Sequence, residues 1–252
     1  MLADILRFQK PTNAKPETVS GHCNGRHNRQ EMKHIKLTTL IFGLLLFGCN
    51  QADTKTTSVT EEITSTSADD KEQIQTLIRQ VLNWADTKNS IDLLPVLADS
   101  KDSIYIGFDL DRHTQNLDKL RQTNLFATEF IDNYNQIIMT LDKGLKNGNY
   151  DKWLVGDLPP FIFANDVDPW TMCQDVPYDK PNPFDFIEVN IINADNNKAE
   201  ANWHWGKLEL NADKGWKDFS YKFRVVKEND KWKIAYLTGF DFKESTRKDG
   251  QL

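Results

Sequence analysis

The chain has 252 residues, of which 39% are hydrophobic and 27% charged, an ordinary globular composition with room for one sizeable core. Its net charge of −6 is unevenly spread: residues 1–48 hold seven Lys/Arg and three Asp/Glu, so the remainder carries 24 basic and 34 acidic residues, a net of −10. An acidic body argues against nucleic acid as a partner and against charge-driven binding to anionic lipid headgroups.

Residues 1–31 mix Pro, Asn, Gly, His and Arg without period and read as a disordered, over-extended start. At Met32 the character changes. A basic n-region, Met32 to Lys36, precedes the apolar run Leu37 to Phe47, then Gly48 and Cys49. That is the layout of a signal peptide over 32–48, with Met32 as the true start. Eleven helical residues rise only about 16 Å, against roughly 30 Å of hydrocarbon, so the run does not span a bilayer. The structural alternative for the run is a short buried helix followed by an ordinary cysteine. Leu46-Phe47-Gly48-Cys49 resembles the lipobox of bacterial lipoproteins. The resemblance implies cleavage before Cys49, a diacylglyceryl group on its sulfur and an acyl chain such as palmitate on the new amino terminus. Two or more chains make a durable membrane anchor. Asn50 is not the Asp linked to inner-membrane retention, so the resemblance implies the outer membrane, facing the periplasm, in a Gram-negative host.

Residues 49–68 are rich in Thr, Ser, Asp and Glu and read as a disordered tether, because they bury too little to offset ordering entropy. A helix is expected from an Asp69 cap, with Glu72 answering it, to about Thr87. Ile74, Leu77, Ile78, Val81, Leu82 and Ala85 form its apolar stripe. A break and a short piece around Pro95 follow, and Ile104 to Phe108 suggests a short strand. The longest helix is expected over Asn124 to Leu145, capped by Thr123. A segment around Leu117 and Leu120 precedes it, continuous or kinked.

Six of the nine prolines fall between Asp157 and Pro183, which excludes long regular structure there. The same stretch holds Asp168-Pro169-Trp170-Thr171-Met172-Cys173-Gln174-Asp175. This pattern resembles that of the DUF3828 group of small secreted or lipoprotein domains. The resemblance covers about residues 70–242 and implies an α+β fold of NTF2-like or cystatin-like kind; the group has no agreed activity to transfer.

From Phe184 to Phe242 the chain reads as four strands in succession. Ile187, Val189 and Ile191 share one side of the first; Ala201, Trp203 and Trp205 alternate with Asn202 and His204 in the second. Phe219, Tyr221, Phe223 and Val225 are in phase in the third, as are Trp232, Ile234 and Tyr236 in the fourth. Period-2 alternation with polar partners predicts an antiparallel sheet with one wet face. Asp195-Asn196-Asn197 and Glu228-Asn229-Asp230 are expected hairpin turns. Gly206, followed by Leu208 and Leu210 in opposite phase, suggests a bulge bending a second strand that runs to Leu210. The expectation is one α+β domain over 69–244, a curved four-stranded antiparallel meander packed on N-terminal helices, with 245–252 a disordered tail.

The candidate chemistry has a structural alternative at each point. Asp166, Asp168 and Asp175 have the oxygens for Ca²⁺, but lack the Gly turn and terminal Glu of a calcium loop and equally serve as caps. Asp109, Asp111 and His113 admit a metal reading that a turn explains as well. Only His113 and His204 follow Cys49, which excludes a multi-histidine zinc site. His204 points away from Trp203 and Trp205; in reversed phase it would be a general base near Asp168 or Asp175. Cys173 is expected to be a buried free thiol, with no disulfide within the chain. No phosphate loop, dinucleotide fingerprint or nucleophile elbow is present. No cofactor, metal or catalytic set is expected. Candidate ligand-binding residues are Asp168, Trp170, Gln174, Asp175, Trp203 and Trp205. The leading function is a membrane-anchored envelope lipoprotein that binds a small ligand or an envelope protein. The alternatives are an NTF2-like enzyme using Asp168 or Asp175 in the cup, and an inhibitor or immunity-type protein.

Overall fold

The computed structural model describes residues 67–87, 90–177 and 182–250. The expected start, signal peptide, Cys49 and most of the tether lie outside them. Helix α1 runs Ala68–Ala85, strand β1 Val96–Asp99, β2 Ile104–Phe108, helix α2 Leu110–Thr123 and α3 Thr128–Lys146. Strands β3 (Ile187–Ala194), β4 (Lys198–Trp205), β5 (Tyr221–Glu228) and β6 (Lys231–Leu237) form an antiparallel meander in that order. Short helices α4 (Lys214–Lys217) and α5 (Phe242–Ser245) flank it. The fold is α+β, helices first, with a second, two-stranded sheet, β1–β2, that only half showed in the sequence.

Helix α1 starts two residues earlier than expected. Ser67, not Asp69, is the cap: its Oγ accepts the Asp70 N–H at 3.0 Å. All six stripe residues are buried, and truncating the fully buried Ile78 to Ala is expected to cost about 2–5 kcal/mol. The expected long helix starts at Thr128, with Ala127 and not Thr123 at its N-cap, and the segment around Leu117 and Leu120 is a separate helix, α2. Asn124 takes a left-handed conformation (φ 58°) that ends α2, and Asp109 caps the start of α2 by accepting the Arg112 N–H at 3.0 Å. Between the helices, Leu125–Ala127 run parallel to β6: Ala127 N–H donates to the Ile234 carbonyl at 2.8 Å and Ile234 N–H to Leu125 at 2.9 Å. One edge of the meander is thereby covered. At the other, Gln75 and Arg79 of α1 donate to the β3 carbonyls of Val189 (3.1 Å) and Ile187 (3.3 Å). Both edges are blunted against pairing with foreign strands.

The turns form as expected. Asp195 Oδ1 accepts the N–H groups of Asn197 and Lys198, both at 2.7 Å, and Asn229 and Asp230 both take positive φ, which suits a two-residue hairpin. The strand ends differ. Phe184 sits in a 3-10 turn before β3, β4 stops at Trp205, and Leu210 is fully exposed. The third strand starts only at Tyr221, and Trp216 lies on α4 before it. The bulges fall at Ile191/Asn193 and at Arg224/Val225, not at Gly206. The second bulge inserts Ala235 between Ile234 and Tyr236, so Tyr236 turns to the Arg224 side and Leu237 takes its place inside.

The buried face of the meander carries Ala201, Trp203, Trp205, Tyr221, Phe223, Val225, Trp232 and Ile234, covered by α1 and α3. Trp153 and, from the Pro-rich middle, Phe161, Phe163 and Trp170 join the same core. The supposed tail joins it as well. Ser245 is buried, and residues 245–249 pair with 160–163 through Ile162 N–H to Arg247, Phe163 N–H to Ser245 and Asp249 N–H to Pro160. The disordered-tail expectation for 245–252 is therefore corrected for residues 245–250: apolar Phe161 and Phe163 supply the burial that a tail of mostly polar residues cannot.

Candidate functional site

The loop carrying Asp168-Pro169-Trp170 closes one end of the core. The Asp168 carboxylate accepts the Trp170 N–H at 3.0 Å, and its carbonyl accepts the N–H groups of Thr171 (3.1 Å) and Met172 (2.6 Å). The residue holds its own turn, as caps do. Desolvation pushes the carboxyl up to about 6; the Trp170 bond opposes this and the charge of Asp86 adds to it. Part of Asp168 nonetheless faces water, so solvent screens the effect.

The other candidates do not converge on Asp168. Trp170 is buried, with its ring against Phe240 (4.6 Å), Trp84 (5.4 Å) and Phe126 (5.6 Å). Gln174 and Asp175 are exposed, and their side chains make no hydrogen bond among the described residues. Trp203 and Trp205 meet edge to face at 4.9 Å, packed by Phe184 and Phe219. They fill the concave side of the sheet where a ligand cup was considered. The Trp203 Nε1–H is buried without a partner among the described residues, but Phe and Tyr rings crowd it.

His204 lies on the outer face, as its phase predicts, with Nε2 3.1 Å from Glu188 Oε2 and away from Asp168. Asp109 is a helix cap and Asp111 lies in the first turn of α2. Among the described residues no group of three His, Cys, Asp or Glu is placed to hold a metal ion. Cys173 is buried and disulfide-bonded, which corrects the free-thiol expectation. The other cysteines, Cys23 and Cys49, lie outside the described residues.

What sequence reasoning missed lies along α1. A groove of about 500 Å³ runs between α1 and the β6 side, lined by Asp69, Gln73, Thr76, Gln80, Asn124 and Trp232 among others. A second, about 410 Å³, lies between Lys71, Gln75 and the Val189–Ala194 backbone. Both open to solvent. Their polar linings derive from the solvent side of an amphipathic helix, which carries no motif to find. Also missed was the anchor of α1: Asp70 Oδ1 accepts from Trp232 Nε1 and Lys227 Nζ, each at 2.7 Å.

No family model matches the chain, and neither does any curated protein or solved structure.

Proposed function

We propose that the chain is an envelope lipoprotein, held to the outer membrane by acyl groups on Cys49, whose α+β domain binds a protein partner or small ligand on its surface. The observation that carries the anchoring is the run of basic residues, eleven-residue apolar stretch, Gly48 and Cys49, followed by a Thr/Ser-rich segment before the first helix. Surface binding is supported by the packing of Trp203 and Trp205 into the core and by the open grooves beside α1. The relationship to the DUF3828 group rests on Asp168-Pro169-Trp170 and Gln174-Asp175. The enzyme alternative needs Asp168 or Asp175 turned into a cup, whereas Asp168 is engaged with its own turn and Asp175 is exposed. The inhibitor alternative keeps one support, the net charge of −10 on residues 49–252. It requires a basic partner whose binding weakens as salt rises.

Cys49→Ser in the full-length gene tests the anchor. The wild-type protein is expected in the membrane fraction, with the mass of a diacylglyceryl group and an amide-linked acyl chain on a Cys49 amino terminus. The variant is expected in the soluble fraction. Membrane association that survives the substitution overturns the reading.

A further inference from the structure

Helix α2 is fastened differently from its neighbours. Its buried residues are His113, Asn116, Leu117 and Leu120, so half of its seam is polar, whereas the buried stripe of α1 is wholly apolar. His113 is 2% exposed. Its Nε2 lies 3.0 Å from Oδ1 of Asn135 on α3, and its ring stands edge-on to Tyr134 at 5.1 Å. With an amide oxygen facing it, Nε2 carries the proton and Nδ1 the lone pair, a tautomer assigned from the hydrogen-bond pattern. Nδ1 is buried and has no partner among the described residues. One turn on, Asn116 donates to the Asp92 carbonyl at 2.7 Å, and Tyr134 donates to Leu93 at 3.1 Å, which ties segment 91–95 into the same polar seam.

We propose that α2 is an acid-released flap, latched to α3 by the neutral imidazole of His113. A proton on Nδ1 creates a buried cation whose new N–H points at nothing that accepts it. Such a group is costly to bury and is relieved when the helix lifts into water. The charged and titratable groups around the ring do not rescue it. On α2, the Asp109 carboxylate is engaged by the Arg112 N–H at 3.0 Å. From segment 91–95, the Asp92 carboxylate is paired with the Arg112 guanidinium at 2.8 Å and accepts the Leu94 N–H. On α3, Tyr134 is a buried phenol whose proton is held well above the ordinary range, and Asn135 is neutral. Burial likewise holds the imidazole below its ordinary range, with the Asn135 bond opposing. Against the lifting stand Leu117 and Leu120, the partly buried Leu110, and the Asn116 and Arg112 bonds to Asp92, and left-handed Asn124 lies where α2 meets the next segment. The main partner of α2 is α3, while strands β4 and β5 lie in the middle of the meander.

Hydrogen exchange of the full chain, followed by mass spectrometry and corrected for intrinsic rates, tests this at pH 7.5 and 5.0. Peptides within 110–123 are expected to lose protection at least tenfold at pH 5.0, while those of β4 and β5 hold theirs. His113→Gln, which keeps a neutral donor to Asn135, is expected to abolish the response. Parallel loss in α2 and the sheet would mean global acid unfolding and overturns the proposal, as does an unchanged response in the variant. Should His113→Gln not fold, the wild-type His113 ring resonance decides. A midpoint below about 6.5 that coincides with α2 opening supports the latch, and one at or above that ordinary value sinks it.

Discussion

The Tyr221 hydroxyl donates to the Pro169 carbonyl at 2.6 Å, joining the sheet to the loop that carries Asp168. The same oxygen accepts the Gly239 N–H at 2.9 Å, and Gly239 approaches so closely that a Cβ there would collide with the Pro169 carbonyl. The Asp-Pro-Trp pattern thus acts as a clamp: Asp168 sets the turn, Pro169 offers its carbonyl inward and Trp170 enters the core. Tyr221→Phe removes one hydroxyl and leaves the buried Pro169 carbonyl and the half-buried Gly239 N–H unpaired. The expected loss is about 1–3 kcal/mol in urea unfolding, with an unchanged slope. Gly239→Ala must push backbone against backbone and is expected to cost more than Tyr221→Phe. A neutral Tyr221→Phe would show that the clamp contributes nothing.

A second tie binds the start of α1 to the last hairpin. Trp232 Nε1 and Lys227 Nζ both reach Asp70, and the Lys227 ammonium also lies 4.9 Å from the Trp232 ring centre. Hydrogen bonds from Lys227 and Trp232, in that order, hold the Asp70 carboxyl below its ordinary value of 3.8. A carboxyl depressed on folding stabilises the fold above its unfolded value, and that support is lost as pH falls through the folded value. Asp70→Ala is therefore expected to cost about 1–2 kcal/mol at pH 7, and wild type and variant should converge toward pH 2. A difference independent of pH would assign the effect to packing alone.

Asp168 should behave in the opposite sense. Its folded value is raised to about 6 from 3.8, so the folded state binds the proton more tightly than the unfolded chain. Its contribution is fully present below 3.8 and is lost as pH rises through 6. Asn at 168 keeps an oxygen for the Trp170 N–H and carries no charge. Asp168→Asn is expected to raise the melting temperature at pH 8 by the equivalent of about 1 kcal/mol or less, given the screening at this exposed residue, and to change little at pH 4. Destabilisation at pH 8 would mean that the carboxylate is used for something other than its turn.

The order of elements and the buried phase were legible because burial imposes its period on the sequence. Ile74 to Ala85 at helical spacing and Ala201, Trp203 and Trp205 at period 2 mark the faces that the structure buries. What was not legible depends on contacts distant in the chain. Whether the segment around Leu117 continued into the next helix could not be read, because Asn124 ends α2 where residues 125–127 are recruited to the edge of β6, and no local signal announces that partner. The Ala235 bulge reverses the side of Tyr236 without any Gly to mark it. At the candidate site, Asp168 and Pro169 stood out by type, but their role depends on Tyr221 and Gly239, more than fifty residues away in sequence. The α1 grooves were invisible because a solvated helix face and a groove wall have the same composition.

The disulfide at Cys173 bears directly on the proposed maturation. Cys23 and Cys49 are the remaining cysteines of the sequence. Acylation would commit the Cys49 sulfur to a thioether, and a start at Met32 would remove Cys23. With both in force, no second cysteine of the chain remains to pair with Cys173. Peptide mapping of the membrane-extracted protein without reduction separates these possibilities. The expected result is an acylated peptide beginning at Cys49 and a Cys173 peptide with its thiol reduced. A Cys49–Cys173 pair would refute the lipid anchor, since one sulfur cannot hold both bonds. A Cys23–Cys173 pair would refute the start at Met32 and leave residues 1–31 as part of the mature protein. A reduced Cys173 would show that the bond is not formed in the mature chain and would leave the anchor standing.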